Sequence, residues 1–167
     1  MFTNIIKKIN KISALLLSII IVLSGTGCSK EDKEAIGRCT LLVECSTIFD
    51  NMDDLDKSLV DYIPDNGVIL EKSSVIIQDG DSVLDVLERE LKEEGILMEA
   101  TFTGDSAYIE GIDNIYEFSC GELSGWNYCV NGEYPGISCS NYAVKNGDVI
   151  EWHYTCDLGK DLENSDK

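Results

Sequence analysis

The chain has 167 residues, with 13 Lys or Arg against 31 Asp or Glu and a formal net charge of −18. That length suits one domain plus a leader. A surface this acidic repels phosphate backbones, so no nucleic-acid partner is expected; a partner guided by charge should be cationic or neutral.

The first segment, MFTNIIKKINKISALLLSIIIVLSGTGC, reads as an export signal. Lys7, Lys8 and Lys11 form a basic front, and Ile12 to Leu23 is an apolar run of 12 residues. A bilayer span needs about 20 such residues. The stretch LSGTGC resembles a bacterial lipoprotein lipobox, which implies a lipid on Cys28 as the mature N-terminus. Ordinary signal cleavage and an uncleaved anchor are the alternatives. The expected organisation is a signal peptide over 1–27, a lipidated tether over 28–38, a folded domain over 39–158 and an acidic tail over 159–167. Export to the outer face of the cell membrane follows. Loss of the three leader lysines leaves 10 basic and 31 acidic side chains, a net charge of −21. Such a chain is repelled by anionic headgroups, so contact with the membrane is expected through the lipid alone.

With Cys28 lipidated, six cysteines remain: Cys39, Cys45, Cys120, Cys129, Cys139 and Cys156. An even number in an exported domain points to disulfides, with 15 connectivities open. No CxxC pair is present, so a zinc site is the weaker reading. In CTLLVEC, Cys39 and Cys45 share strand parity and lie about 20 Å apart at strand rise. They are not expected to pair with each other.

Along the mature chain, RCTLLVECSTI predicts a strand with Cys39, Leu41, Val43 and Cys45 on one face. In DNMDDLDKSLVDYIPDNG, Met52, Leu55 and Leu59 recur at helical spacing, with Asp50 or Asn51 as cap and Pro64 and Gly67 as closure. The acids there lack the oxygen pattern of an EF-hand loop, so a solvated helix is expected rather than a calcium site. GVILEKSSVIIQDGD predicts one or two strands ending at Asp79-Gly80. DSVLDVLERELKEEG is the clearest helix: Asp81 or Ser82 caps it, Val83, Leu84, Leu87 and Leu91 form the apolar stripe, and Gly95 ends it. ILMEATFTGDSAYIEGIDNIYEF predicts short strands around turns.

In GWNYCVNGEYPGI, Asn131-Gly132 between apolar arms predicts a hairpin. Lys145-Asn146-Gly147-Asp148 predicts a turn into a last strand, VIEWHYTC. There Ile150, Trp152, Tyr154 and Cys156 share one face, and Val149, Glu151 and His153 the other. The order of elements predicts a small α+β domain, one helix packed on a mixed sheet, with DLGKDLENSDK as a fraying tail.

The stretch SGWNYCVNGEYPGISCSNYAVKNGDVIEWHYTCDLG, with GDSVLDVL and AYIEGIDNIYEF before it, resembles the transcobalamin-like C-terminal domain family of exported bacterial proteins. The resemblance runs from about Cys39 to Leu158. It implies a β-grasp-like fold and relatedness to the smaller domain of cobalamin carriers, hence a soluble small-molecule ligand, with cobalamin or another corrinoid as the candidate. The large helical domain of those carriers has no counterpart in this sequence.

The residues themselves favour binding over catalysis. His153 is the only histidine, and no GxSxG, HExxH, P-loop or GxGxxG motif is present. No enzyme activity and no cofactor are expected. Trp126, Tyr128, Tyr134, Tyr142, Trp152 and Tyr154 offer flat amphipathic surface suited to planar or apolar ligands. By periodicity Trp152 belongs to the core. The candidate ligand contacts are Trp126, Tyr128, Asn131, Glu133, Tyr134, Tyr142 and His153. His153 lacks a second ligand at a suitable spacing, so no metal site is expected. The alternative is a structural or protein-interaction module of the cell surface with no small ligand.

Overall fold

A computed structural model describes residues 33–162. The expected signal peptide, the lipid site at Cys28 and residues 163–167 lie outside them. Among the described residues no helix is long and apolar enough to cross a membrane.

The first strand, β1 (Ala35–Glu44), buries Cys39, Leu41 and Val43, with Cys45 just beyond it. That is the face its alternation predicts. It begins four residues before the expected domain boundary, because Ala35, Gly37 and Arg38 already pair with β2 (Val68–Gln78). β2 is a single strand and ends at the Asp79-Gly80 turn as expected. Between β1 and β2 the expected helix is absent. Two 3-10 turns, Ser46–Asn51 and Lys57–Tyr62, take its place, and Asp56 rather than Asp50 or Asn51 caps, accepting from the Ser58 N–H. Four aspartates between 50 and 56 oppose a continuous helix. Leu55 is instead bridged to Cys120 and buried.

Helix α1 (Val83–Glu94) starts at Ser82, whose hydroxyl accepts from the Asp85 N–H while the Asp85 carboxylate accepts from the Ser82 N–H. Gly95 ends it in the left-handed region, φ 73°. Its stripe of Val83, Leu84, Val86, Leu87 and Leu91 is buried in the core. Arg89 fastens the helix to β2 through the Ile76 carbonyl and to Asp81 at 2.9 Å. Strands β3 (Met98–Thr103), β4 (Ser106–Ile112) and β5 (Ile115–Tyr116) form a small antiparallel sheet.

The last two strands, β6 (Gly125–Val130) and β7 (Val149–Thr155), complete a four-stranded sheet in the order β2-β1-β7-β6. Its central pair β1–β7 is parallel and the outer pairs are antiparallel. This is the mixed, helix-holding α+β sheet predicted from the sequence.

Two expectations change in ways that shape the site. The Asn131-Gly132 turn forms, with φ of 55° and 80°, and Val130 and Glu133 exchange both main-chain bonds. No second hairpin strand follows, because Pro135 has no N–H to pair and Gly136 sits at φ 65°. The chain instead leaves β6 as a loop running to the Lys145–Asp148 turn. The expected fraying tail is also tied down through residue 162. Leu158 N–H donates to the Leu123 carbonyl, and the Asp161 carboxylate accepts from Thr155 Oγ1 and from the Cys156 N–H.

Candidate functional site

β6 is the outer strand of its sheet, and its free edge opens on a cleft of about 400 Å³. Register places Asn131 opposite Val149, and the Asn131 N–H donates to the Val149 carbonyl. Antiparallel alternation then turns the main-chain groups of Trp126 and Tyr128 away from β7, toward the free edge. Three segments close around that edge: Ala107 to Ile109 of β4, the Tyr134–Cys139 loop, and the turn at Leu158–Lys160. The loop is pinned from below. Ser138 Oγ accepts from the Ala107 N–H and donates to its carbonyl, and Ser140 Oγ donates to the Asp105 carbonyl.

The aromatic residues singled out from the sequence divide between this cleft and the core. Trp126, Tyr128, Tyr134 and Trp152 all line the cleft. Trp126 shows only 5% of its surface, donating its indole N–H to the Ile115 carbonyl and meeting Tyr154 edge-on at 5.2 Å. Tyr128 is half-buried, leans on Trp152 at 5.3 Å and donates its phenol to the Ile137 carbonyl. Burial pushes its pKa up to about 12. Tyr134 is 43% exposed, and partial burial raises its phenol well above the usual range. Trp152 is core, as its periodicity predicts, and also forms part of the cleft wall. Its buried indole N–H meets no acceptor, an arrangement that costs about 1–3 kcal/mol.

Other candidates lie elsewhere. Tyr142 packs edge-on against Tyr128 beside the core, outside the cleft. Asn131 is occupied structurally, donating to Asp148 Oδ1 and accepting from the Val149 N–H. Glu133 is exposed in the turn. His153 faces the other side of the sheet, with the Tyr134 ring 6.5 Å away between centroids. There His153 Nδ1 donates to Glu44 Oε1 at 2.8 Å, and its Nε2 lies 3.8 Å from Cys129 Sγ. Burial opposes charge on this ring, but the hydrogen bonds to Cys129 and Glu44 outweigh it and lift its pKa to about 9. The same bond holds the Glu44 carboxyl below its usual range.

The six cysteines among the described residues, for which crosslinks are the expectation from the sequence, stand as free thiols in this structure. Cys39 on β1 and Cys45 just beyond it are both buried. Burial pushes Cys39 up to about 11 and Cys45 and Cys156 up to about 12. Such thiols react slowly at neutral pH. Cys120 Sγ donates to the Asn51 carbonyl at 3.3 Å, and Cys156 Sγ donates to Thr47 Oγ1 at 3.9 Å.

Sequence reasoning missed the lining residues at 107–109 and 158–160. They reach the cleft through the packing of β4 on β6 and the folded-back C-terminal turn, and neither leaves a local pattern.

Fold and cleft together define a small α+β module with an aromatic hollow along a free sheet edge. Residues 80–156 match the model of a family described as a domain of unknown function, DUF4430. No curated protein matches the chain. Among solved structures, haptocorrin in complex with Cbi aligns at 18% identity and a TM-score of 0.49, over 81% of this chain and 28% of haptocorrin. A candidate metal-binding protein from Ruminococcus gnavus ATCC 29149 aligns at 14% identity and a TM-score of 0.42, over 71% of this chain and 96% of that one. The chain thus corresponds to little more than a quarter of the haptocorrin length.

Proposed function

We propose that this chain is an exported, lipid-anchored binding module whose β6-edge cleft captures a soluble small molecule without chemical conversion. The observation that carries the reading is the convergence of Trp126, Tyr128, Tyr134 and Trp152 on one hollow of about 400 Å³. Ligand sites of this kind are concave, mostly apolar and provided with a few polar groups. Here those groups are the outward main chain of Trp126 and Tyr128, the Asn127 amide and Lys160.

The sequence resemblance makes corrinoids the first ligands to test. The cleft is smaller than a whole corrinoid and open along one side, so it would grip an edge of the ring system rather than enclose it. The competing reading, a surface module with no small ligand, explains the sealed Tyr154 but assigns no purpose to the cleft.

The test is absorbance and calorimetric titration of the purified protein with cobalamin and cobinamide. Saturable binding is expected, at least tenfold weaker in Tyr134→Ala, whose ring is exposed enough to be removed without opening the core. No binding up to about 1 mM of either ligand, the range of the weakest specific sites, would overturn the corrinoid reading.

A further inference from the structure

The sheet face opposite the helix carries a second constellation, built from three adjacent strands. β7 contributes Glu151 and His153, β6 contributes Cys129 directly across from Glu151, and β1 contributes Glu44 directly across from His153. One donor atom from each of Cys129, Glu151 and His153 lies within 4.8 Å of the other two. Cys129 Sγ is 3.8 Å from His153 Nε2 and 3.8 Å from Glu151 Oε2. In a tetrahedral zinc site, bond lengths of about 2.3 Å to sulfur and 2.0–2.2 Å to nitrogen and oxygen put such atoms about 3.3–3.6 Å apart. The two separations from the sulfur exceed that spacing by only a few tenths of an ångström, and the third side of the triangle is no longer than 4.8 Å.

The surroundings are arranged as a cation needs. Glu44 accepts from His153 Nδ1, which turns Nε2 toward the cluster; histidines that bind metals are commonly oriented in this way. Lys72 Nζ holds Glu151 Oε1 at 2.9 Å, leaving Oε2 directed at the sulfur. With Cys129 as thiolate, its charge, those of Glu44, Glu151 and Lys72, and that of a divalent ion sum to zero. Cys129 is 3% exposed, whereas Glu151 and His153 are each about a fifth exposed in their side chains. The sulfur is thus shielded while the site stays open to solvent on one side.

The same atoms also resemble a thiol–imidazole–carboxylate nucleophile. A carboxylate 3.8 Å from the sulfur opposes an attacking anion but suits a cation held between the two. We propose that Cys129, Glu151 and His153 form a zinc-class metal site in which the chain supplies three ligands and water the fourth, with Glu44 as the positioning residue. Mixed sulfur, nitrogen and oxygen donors favour a borderline ion such as Zn²⁺, and Co²⁺ as its spectroscopic substitute. This site is separate from the cleft and does not depend on the proposed cleft ligand.

The experiment loads the purified, reduced protein with Zn²⁺ or Co²⁺ and measures retained metal after desalting by elemental analysis. One equivalent per chain is expected, with a thiolate-to-cobalt charge-transfer band in the near ultraviolet. Cys129→Ser and His153→Gln should lose both, whereas Cys156→Ser should keep them. Glu44→Gln should weaken binding about 10- to 100-fold while keeping the charge-transfer band. Zn²⁺ should also slow alkylation of Cys129 in the unaltered chain. If Cys129→Ser fails to fold, His153→Gln and the alkylation rate decide the matter, since His153 lies on the sheet face away from the helix. Retention below one-tenth of an equivalent, a cobalt spectrum indifferent to His153→Gln, or alkylation of Cys129 unaffected by Zn²⁺ would each overturn the proposal.

Discussion

Tyr154 joins the core to the cleft wall. Its ring is fully buried and meets Trp126 edge-on, while its phenol donates to the Tyr116 carbonyl at 2.7 Å and lies 2.8 Å from Ser124 Oγ. Tyr154→Phe keeps the ring and leaves the Tyr116 carbonyl buried without that donor, so it should cost about 1–3 kcal/mol in denaturant unfolding. Burial pushes the pKa of Tyr154 up to about 12, as it does for Tyr108 and Tyr128. A tyrosine whose folded pKa lies above its unfolded value of about 10 contributes stability that is complete below pH 10. That stability is lost as pH rises through 12. Alkaline unfolding should therefore set in between pH 10 and 12 with a delayed tyrosinate absorbance, and Tyr154→Phe should flatten the slope. An unfolding midpoint constant across that interval would contradict the buried-phenol account. The alternation of β7 made the burial of Tyr154 legible in the sequence. Its two partners were not legible, because they come from a loop and from β5, thirty or more residues away.

At the scale of elements, the parts written in local chemistry were legible and those set by neighbours were not. The helix carried its own signals: Ser82 with Asp85 at the start, a stripe of aliphatics, and Gly95 at the end. Ser82→Ala removes the acceptor for the Asp85 N–H and should lower stability by about 1 kcal/mol, with Ser82→Asp restoring most of it in thermal melts. Equal destabilisation by both would mean that the capping box is not what holds this end. Residues 46–62 misled because Met52, Leu55 and Leu59 have helical spacing, yet the bridge from Leu55 to Cys120 overrides it. The Asn131-Gly132 signal was correct for the turn and wrong for the strand after it, since Pro135 cannot continue a ladder. That failure of pairing leaves the β6 edge uncovered and so creates the cleft. Three of the seven candidate contacts, Trp126, Tyr128 and Tyr134, therefore fall at the cleft only through a tertiary detour. His153 was placed on the correct face of its strand, but its company of Cys129, Glu151 and Glu44 required the strand order β1-β7-β6.

For the whole molecule, the excess of acid acts against folding as well as against anionic partners. A net charge of −18 makes the compact state repel itself, and the last turns of α1 show it locally. Burial first, then the neighbouring Glu93 and Glu94, raise the pKa of Glu90, while Arg89 at 3.7 Å offsets only part of this. Glu90 and its neighbours stand at the three- and four-residue spacings where like charges meet on a helix, each such pair costing about 0.2–0.5 kcal/mol. Because the folded pKa of Glu90 is raised, its favourable contribution is present at pH below its unfolded value. It is lost as pH rises through the folded one. Glu90→Gln should thus stabilise the protein at pH 7 by a few tenths of a kcal/mol. The gain should vanish at about pH 3.5, below the ordinary glutamate value of about 4.3, where the native carboxyl is already neutral. Sodium chloride raised from low to about 0.15 M, where charges more than about 8 Å apart are screened, should lift the melting temperature of the unaltered chain more than that of Glu90→Gln. Equal salt responses would show that repulsion at this helix end is not what limits stability. A gain for Glu90→Gln that persisted into acid would point to packing of the side chain rather than to its charge.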